Sequence, residues 1–272
     1  MPKTVLITGA STGIGYETAK VFQRNGWNVV ATMRSPEKVP DLADLANVTC
    51  LKLDVTDTAS LQAGVEAAIQ QFQTIDVLVN NAGYALIGPF EACTAAEIQR
   101  QFATNVFGLM EMTRALLPHF RSRRAGVIVN IASIGGHIAI PLYSPYHATK
   151  WAVEGFSESL QYELEPFNVR VKLIEPGPIK TDFYSRSMTF AQQPGLTAYD
   201  DFIRKVSPAL EQAGETGSPP SLTAAIIYRA ATDGSKRLRY PAGGNASGIL
   251  FLRKILPDAL FQTFIRIGII RD

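Results

Sequence analysis

The sequence predicts an α/β fold, a single doubly wound domain whose parallel sheet is covered by helices on both faces. Three observations predict it. Short, nearly continuous apolar runs rich in β-branched residues recur along the chain; stretches of about 15 to 40 residues with room for helices separate them; and a glycine-rich turn follows the first run. Strands buried on both faces lose the polar alternation of an exposed sheet, and an alternating strand–helix order implies parallel pairing.

The elements justify this in order. TVLIT (4–8) is the first strand, and TGASTGIG after it carries Gly9, Gly13 and Gly15. A helix is expected from about Gly13 to Asn25, with Gly26 placed where a left-handed residue closes a helix. WNVVATM (27–33) is the second strand and leads to Arg34; VTCLKL (48–53) is the third and leads to Asp54. IDVLVN (75–80) is followed by Asn81, Ala82 and Gly83, and GVIVNIA (126–132) by Ser133. Ser144 is expected to cap a helix with Pro145 at its first position, and Pro166 ends it. VRVKLIE (169–175) is the sixth strand and leads to Pro176 and Gly177. From about 183 to 222 the pattern dissolves into Gly, Pro, Ser and Thr, which reads as a substrate-loop excursion of one domain spanning 1–272. An apolar C-terminal segment follows at about 245–272.

Composition excludes several function classes. The chain has 272 residues, 46% hydrophobic and 18% charged, enough for a sizeable core. Its 26 basic and 24 acidic residues are scattered, so no nucleic-acid footprint is expected. Cys50 and Cys93 stand far apart without metal spacing, and His119, His137 and His147 are dispersed, so neither a disulfide framework nor a metal site is expected. With no signal-peptide pattern and no membrane span, a soluble, cytoplasmic protein is expected.

In an open parallel sheet the carboxyl ends of the strands line one crevice, where ligands bind at the switch in strand order. A glycine turn there aims a helix N-terminus at a diphosphate, whose charge its free N–H groups favour. The G-x-x-x-G-x-G spacing departs from the commoner dinucleotide fingerprint, and a glycine-rich helix entry without a ligand is the plain alternative. YSPYHATK (143–150) adds chemistry: Tyr146 and Lys150 are one helical turn apart on one face. A phenol is a poor acid or base at neutral pH until a nearby ammonium and a helix N-terminus favour its phenolate. Tyr143 reads as a pocket wall. Tyr16 and Lys20 share the spacing but have no serine thirteen residues upstream, so Tyr16 reads as a surface or packing residue.

Taken together, these motifs resemble the short-chain dehydrogenase/reductase family, notably its hydroxysteroid and retinol dehydrogenase-like members, over residues 3 to about 182. The family's TGxxxGxG stands at Thr8 to Gly15, so the resemblance implies that Gly9, Gly13, Ile14 and Gly15 bind cofactor. Its Asn-Asn-Ala-Gly stands at Asn80 to Gly83, its helix asparagine at Asn105, and its Pro-Gly at Pro176 and Gly177. The resemblance implies a Rossmann-like domain that interconverts an alcohol and a ketone or aldehyde with NAD(H) or NADP(H), without a metal. Tyr146 would pass the hydroxyl proton, Ser133 hold the substrate oxygen, and Lys150 tune the phenol while gripping a ribose. Asn105, which by itself reads equally as a kink or a polar packing residue, would anchor a relaying water. Asp54 and Val55 would flank the adenine, Asn81 its ribose, and Ile179 and Thr181 the nicotinamide amide. A non-catalytic NADP(H)-binding sensor or scaffold on the same fold is the alternative.

Four finer expectations complete the reading. Arg34, at the place where NAD-preferring sites carry an acid, and Ser11 in the glycine turn favour NADP(H); stacking of Arg34 on adenine would serve NAD as well. YALIGPF, HIAIPLY and FYSRSMTF imply a lipophilic substrate. Trp151, Val153, Phe156 and Leu160 carry more apolar surface than one sheet face requires, so a homodimer or homotetramer is expected. The segment 249–270 is favoured to pack on the domain, a partner subunit or the substrate mouth rather than to lie peripherally on a membrane.

Overall fold

The computed structural model describes residues 2–181 and 187–270. The chain opens with β1 (Thr4–Thr8), α1 (Gly13–Arg24), β2 (Asn28–Met33), the single turn α2 (Pro40–Ala43), β3 (Val48–Lys52), α3 (Thr58–Phe72) and β4 (Val77–Asn80). It continues through β5 (Ala85–Ile87), α4 (Ala95–Phe102), α5 (Gly108–Arg123), β6 (Gly126–Ile131), α6 (Ser144–Leu164), β7 (Val169–Pro176) and β8 (Met188–Phe190). Helices α7 (Asp200–Glu215) and α8 (Pro220–Thr232), strand β9 (Arg239–Ala242) and helices α9 (Ala246–Ile255) and α10 (Asp258–Ile269) complete it.

Seven strands form one parallel sheet in the order β3-β2-β1-β4-β6-β7-β9, a Rossmann-like doubly wound architecture in one domain. Every residue of β1 is buried, as its unbroken apolar run requires. Its side chains alternate between two cores. Val5 and Ile7 join Phe22 of α1 and Ile227 of α8 on one face. Leu6 joins Leu61 of α3, Met112 and Leu116 of α5 and Leu160 of α6 on the other. Full burial of such a side chain contributes roughly 1.5–3 kcal/mol. The strand order reverses between β1 and β4, so the crevice opens over Gly9 and Asn81.

Local punctuation follows physical need. Gly26 sits at φ +77°, so α1 is closed by a residue without a Cβ. Three features differ from the expectation. α6 begins at Ser144, with Tyr143 rather than Ser144 at its N-cap and Pro145 in the first turn. A seventh strand, β9, pairs with β7 through RYPA; as an edge strand it tolerates Pro241, which lacks a ladder donor. The segment 183–222 contains α7, an amphipathic helix framed by Gly and Pro, and β8 pairs with β5 in a small second sheet. Of FYSRSMTF, residues 183–186 lie outside the described residues.

Candidate active site

One cavity of about 930 Å³ runs along the carboxyl ends of the strands. One wall of it is the glycine turn. Gly9 is at φ +65°, and a Cβ there would meet the Ala82 Cα at 2.9 Å; Gly13 is at φ +58° and faces Thr181. Backbone of β1 and β4 therefore approaches as only glycine allows. α1 starts after Thr12 with neither a side-chain cap nor an acidic residue in its first turn, which leaves that end receptive to an anion. Gly9, Ser11, Gly13 and Ile14 line the cavity, as do Arg34 after β2 and Asp54 and Val55 after β3. Asn81, Ala82 and Gly83 line it after β4, and Pro176, Gly177, Ile179 and Thr181 after β7.

Asn81 has a bracing function visible in its bonds. Its Nδ2 donates to the Thr8 and Gly9 carbonyls, each at 2.9 Å, while the Asn81 and Ala82 amides donate to Thr8 Oγ1 at 3.0 and 3.1 Å. Both side-chain amide donors are thus spent holding the switch point. Gly15 does not line the cavity: a Cβ there would sit 2.5 Å from Asn81 Nδ2 and from the Gly9 carbonyl, so its role is to let this brace close.

Ser133, Tyr146 and Lys150 meet in the same cavity. Ser133 follows β6, and its Oγ accepts from the Gly135 amide at 3.0 Å. Tyr146 is buried, and its ring packs edge-on against that of Tyr143, centroids 5.9 Å apart. Lys150 Nζ donates to the Ile131 carbonyl at 2.8 Å and lies 5.7 Å from the Tyr146 ring centroid. Burial pushes this ammonium down to about 8, against the pull of the Glu154 charge one turn further on. The other Tyr-x-x-x-Lys pair has a different environment. Tyr16 donates to Asp41, and that bond pushes its phenol up to about 12, away from the phenolate.

Asn105 does not line the cavity but lies beside it, in a π-helical turn (Ala103–Phe107) that joins α4 to α5. Its side chain accepts from the Tyr84 amide at 3.0 Å and donates to the Tyr84 carbonyl at 2.8 Å and Thr149 Oγ1 at 3.1 Å. It is a polar packing residue within this π-helical turn, tying the residue before β5 to α6.

Sequence reasoning missed the settings of two histidines and one helix of the cavity wall. His147 is buried and lines the cavity, with Nδ1–H donated to the Gly135 carbonyl at 2.8 Å. His137 is not isolated: its Nε2 is 2.9 Å from Glu175 and 3.3 Å from Glu154, and Arg239 Nε closes the group at 3.0 Å from Glu154. A His and two carboxylates at such distances also suit a metal ion, but here the Arg239 guanidinium and the protonated His137 ring together balance the two carboxylates. The cavity's apolar wall of Ile138, Ile140 and Tyr143 is completed by Leu210 of α7, which the sequence did not single out, and by Ile249 of α9 and Phe264, Ile265 and Ile269 of α10, in the segment expected to pack on the domain, a partner subunit or the substrate mouth. Nothing local in those distant segments marks them as wall residues beyond their apolar character.

The glycine cradle and the uncapped helix end fit a dinucleotide diphosphate, and the comparisons agree. Residues 3–191 match the family described as short chain dehydrogenase. The chain is 37% identical to the oxidoreductase YusZ of Bacillus subtilis, covering 97% of each chain. It is 35% identical to a 3-ketodihydrosphingosine reductase of Bacteroides thetaiotaomicron (98% of this chain, 97% of that) and 34% identical to retinol dehydrogenase 8 of Bos taurus (94% and 86%). A short-chain dehydrogenase structure from Streptomyces avermitilis superposes with TM-score 0.86 at 33% identity over 98% of both chains. ElxO with NADP bound (27%, TM-score 0.74, 91% and 100%) and a Brucella melitensis 3-ketoacyl-(acyl-carrier-protein) reductase with NADH (29%, 0.75, 90% and 98%) are also similar.

Proposed function

This chain belongs to the short-chain dehydrogenase family of oxidoreductases, and from that premise we propose that it interconverts an alcohol and a ketone or aldehyde on a lipophilic small molecule. The observation that carries the reading is the shared cavity: a dinucleotide cradle and a predominantly apolar wall meet where Ser133, Tyr146 and Lys150 converge. When bound, a nicotinamide cofactor supplies or takes the hydride.

The protein's residues do the rest. Ser133 Oγ holds the substrate oxygen, and the Tyr146 hydroxyl gives its proton to that oxygen in reduction or takes it in oxidation. Lys150, anchored on the Ile131 carbonyl, keeps a cation near the phenol and favours the phenolate. Asn105 holds the Tyr84 backbone and Thr149 in place behind them, and water relayed past it would return the proton to Lys150. Ile138, Ile140, Tyr143 and Leu210 would shed water from the substrate. Two relatives are named for retinol and 3-ketodihydrosphingosine, both largely hydrocarbon molecules, which supports the lipophilic class.

Arg34 and Ser11 would grip a 2′-phosphate, so NADP(H) is the preferred cofactor in this reading, with NAD(H) also accepted. The working form is a homodimer or homotetramer joined through α6, where Trp151 and Tyr162 are exposed, although Val153 and Leu160, expected to share that surface, are buried in the protein's own core. The test is turnover of a ketone panel by wild type and Tyr146→Phe. The substitution should cut kcat by about 10²- to 10⁴-fold while leaving cofactor affinity nearly intact. Retention of more than about a tenth of the wild-type rate would remove Tyr146 from the role.

A further inference from the structure

The last two helices expose more apolar surface than a water-facing element needs. Among the described residues, five of the eleven exposed large apolar side chains lie on α9 and α10: Phe251, Ile255, Leu260, Phe264 and Ile267, each between 46% and 75% exposed. Their spacing makes one exposed stripe along each helix. Phe251 and Ile255 are one turn apart on α9, and Leu260, Phe264 and Ile267 follow the i, i+4, i+7 pattern on α10. The rest of α10 is anchored. Phe261 is buried beneath the Arg253 guanidinium, 5.3 Å from its ring centroid, and Ile265 and Ile269 line the substrate cavity. Phe264 belongs to both sides, being exposed and also on the cavity rim. The outer stripe therefore runs into the cavity mouth.

Charge on these helices is one-sided. The cations are Arg253, Lys254 and Arg266, and the acid is Asp258, which pairs with Arg253 at 2.5 Å. Lys254 and Arg266 flank the stripes without a carboxylate partner among the described residues. A two-fold contact with a second copy through this face would set a net positive surface against itself. An anionic lipid surface matches both features, taking apolar side chains at the depth of its acyl boundary and cations at its headgroups. Among the described residues no helix is long and apolar enough to cross a membrane, and the proposed contact is with one leaflet.

We infer that α9 and α10 dock the protein on an anionic membrane surface and place the cavity mouth, at Phe264, against the lipid. A lipophilic substrate then passes from bilayer to cavity without crossing water. The test is flotation of the full chain with phosphatidylcholine vesicles, with and without phosphatidylserine, in the absence of cofactor and substrate. Wild type should float with the phosphatidylserine vesicles, and both Leu260→Ser/Ile267→Ser and Lys254→Glu/Arg266→Glu should bind them roughly tenfold more weakly. Phe251→Ser/Ile255→Ser provides an independent apolar variant should the first fold poorly. Light scattering should give every variant the wild-type mass, and turnover of a small water-soluble ketone should be unchanged. Wild type that stays unbound on both vesicle types overturns the inference. So does a fall in oligomer mass in the apolar variants, which would identify a second copy as the occupant. Flotation needs no turnover, so a failure of the catalytic reading leaves this result intact.

Discussion

His137 makes stability depend on pH in a window that can be worked from its surroundings. Its ring is hydrogen-bonded to Glu154 and Glu175, which push it from 6.5 up to about 9, against the opposing effect of burial. Arg239 contacts the same carboxylates, and Arg253 Nε approaches the His137 carbonyl at 3.4 Å. Between pH 6.5 and 9 the folded state holds a proton that the unfolded chain has lost, so stability falls as pH rises. A displacement of that size corresponds to about 3.4 kcal/mol at about 1.36 kcal/mol per unit. The side chain is 30% exposed, and solvent screening reduces the expected loss to about 1–2 kcal/mol.

Lys150 acts in the opposite sense. Its folded value of about 8 lies below the ordinary lysine value of 10.5, so stability recovers as pH rises from 8 toward 10.5. The two contributions overlap above pH 8, and comparison with a variant separates them. Urea unfolding of wild type and His137→Gln at closely spaced pH values from 6 to 9 is the assay. The difference between the two proteins should be largest near pH 6 and shrink by about 1–2 kcal/mol by pH 9. A difference that stays constant across the window would mean that folding does not raise the ring's affinity for its proton.

Three further outcomes are expected. Gly15→Ala should force the Gly9 carbonyl and Asn81 amide away from a Cβ 2.5 Å from each, costing about 1–3 kcal/mol of stability and weakening dinucleotide binding by fluorescence titration; unchanged affinity would contradict the bracing role. Arg34→Asp should reverse an NADP(H) preference in kcat/KM worth about 10- to 150-fold, whereas equal use of both cofactors by wild type would refute the phosphate grip. Trp151→Glu on the exposed part of α6 should lower the mass seen by light scattering, and a wild type that is monomeric at micromolar concentration would refute the expected oligomer.

What was legible in the sequence was what local covalent structure enforces. Parallel strands buried on both faces must be apolar at successive positions, and a turn with φ of +65° at Gly9 and +58° at Gly13 selects glycine whatever surrounds it. The order of the six runs therefore led to the sheet, and the polar residues after each run led to the crevice. The spacing of Tyr146 and Lys150 is likewise set by the helix that carries both. Tertiary structure decided whatever depends on pairing between distant segments. Strand β9 exists because β7 offers an open edge, and no period in RYPA announces it. α7 was hidden by the Gly- and Pro-rich sequence around it, and α7, α9 and α10 became cavity walls through packing. Tyr16 and Tyr146 have the same spacing to lysine, yet an Asp41 carboxylate meets one and a buried ammonium lies near the other. His137, Glu154, Glu175 and Arg239 are far apart along the chain and mutually neutralising in space. Side-chain electrostatics depends on distance and burial, and both are properties of the folded chain.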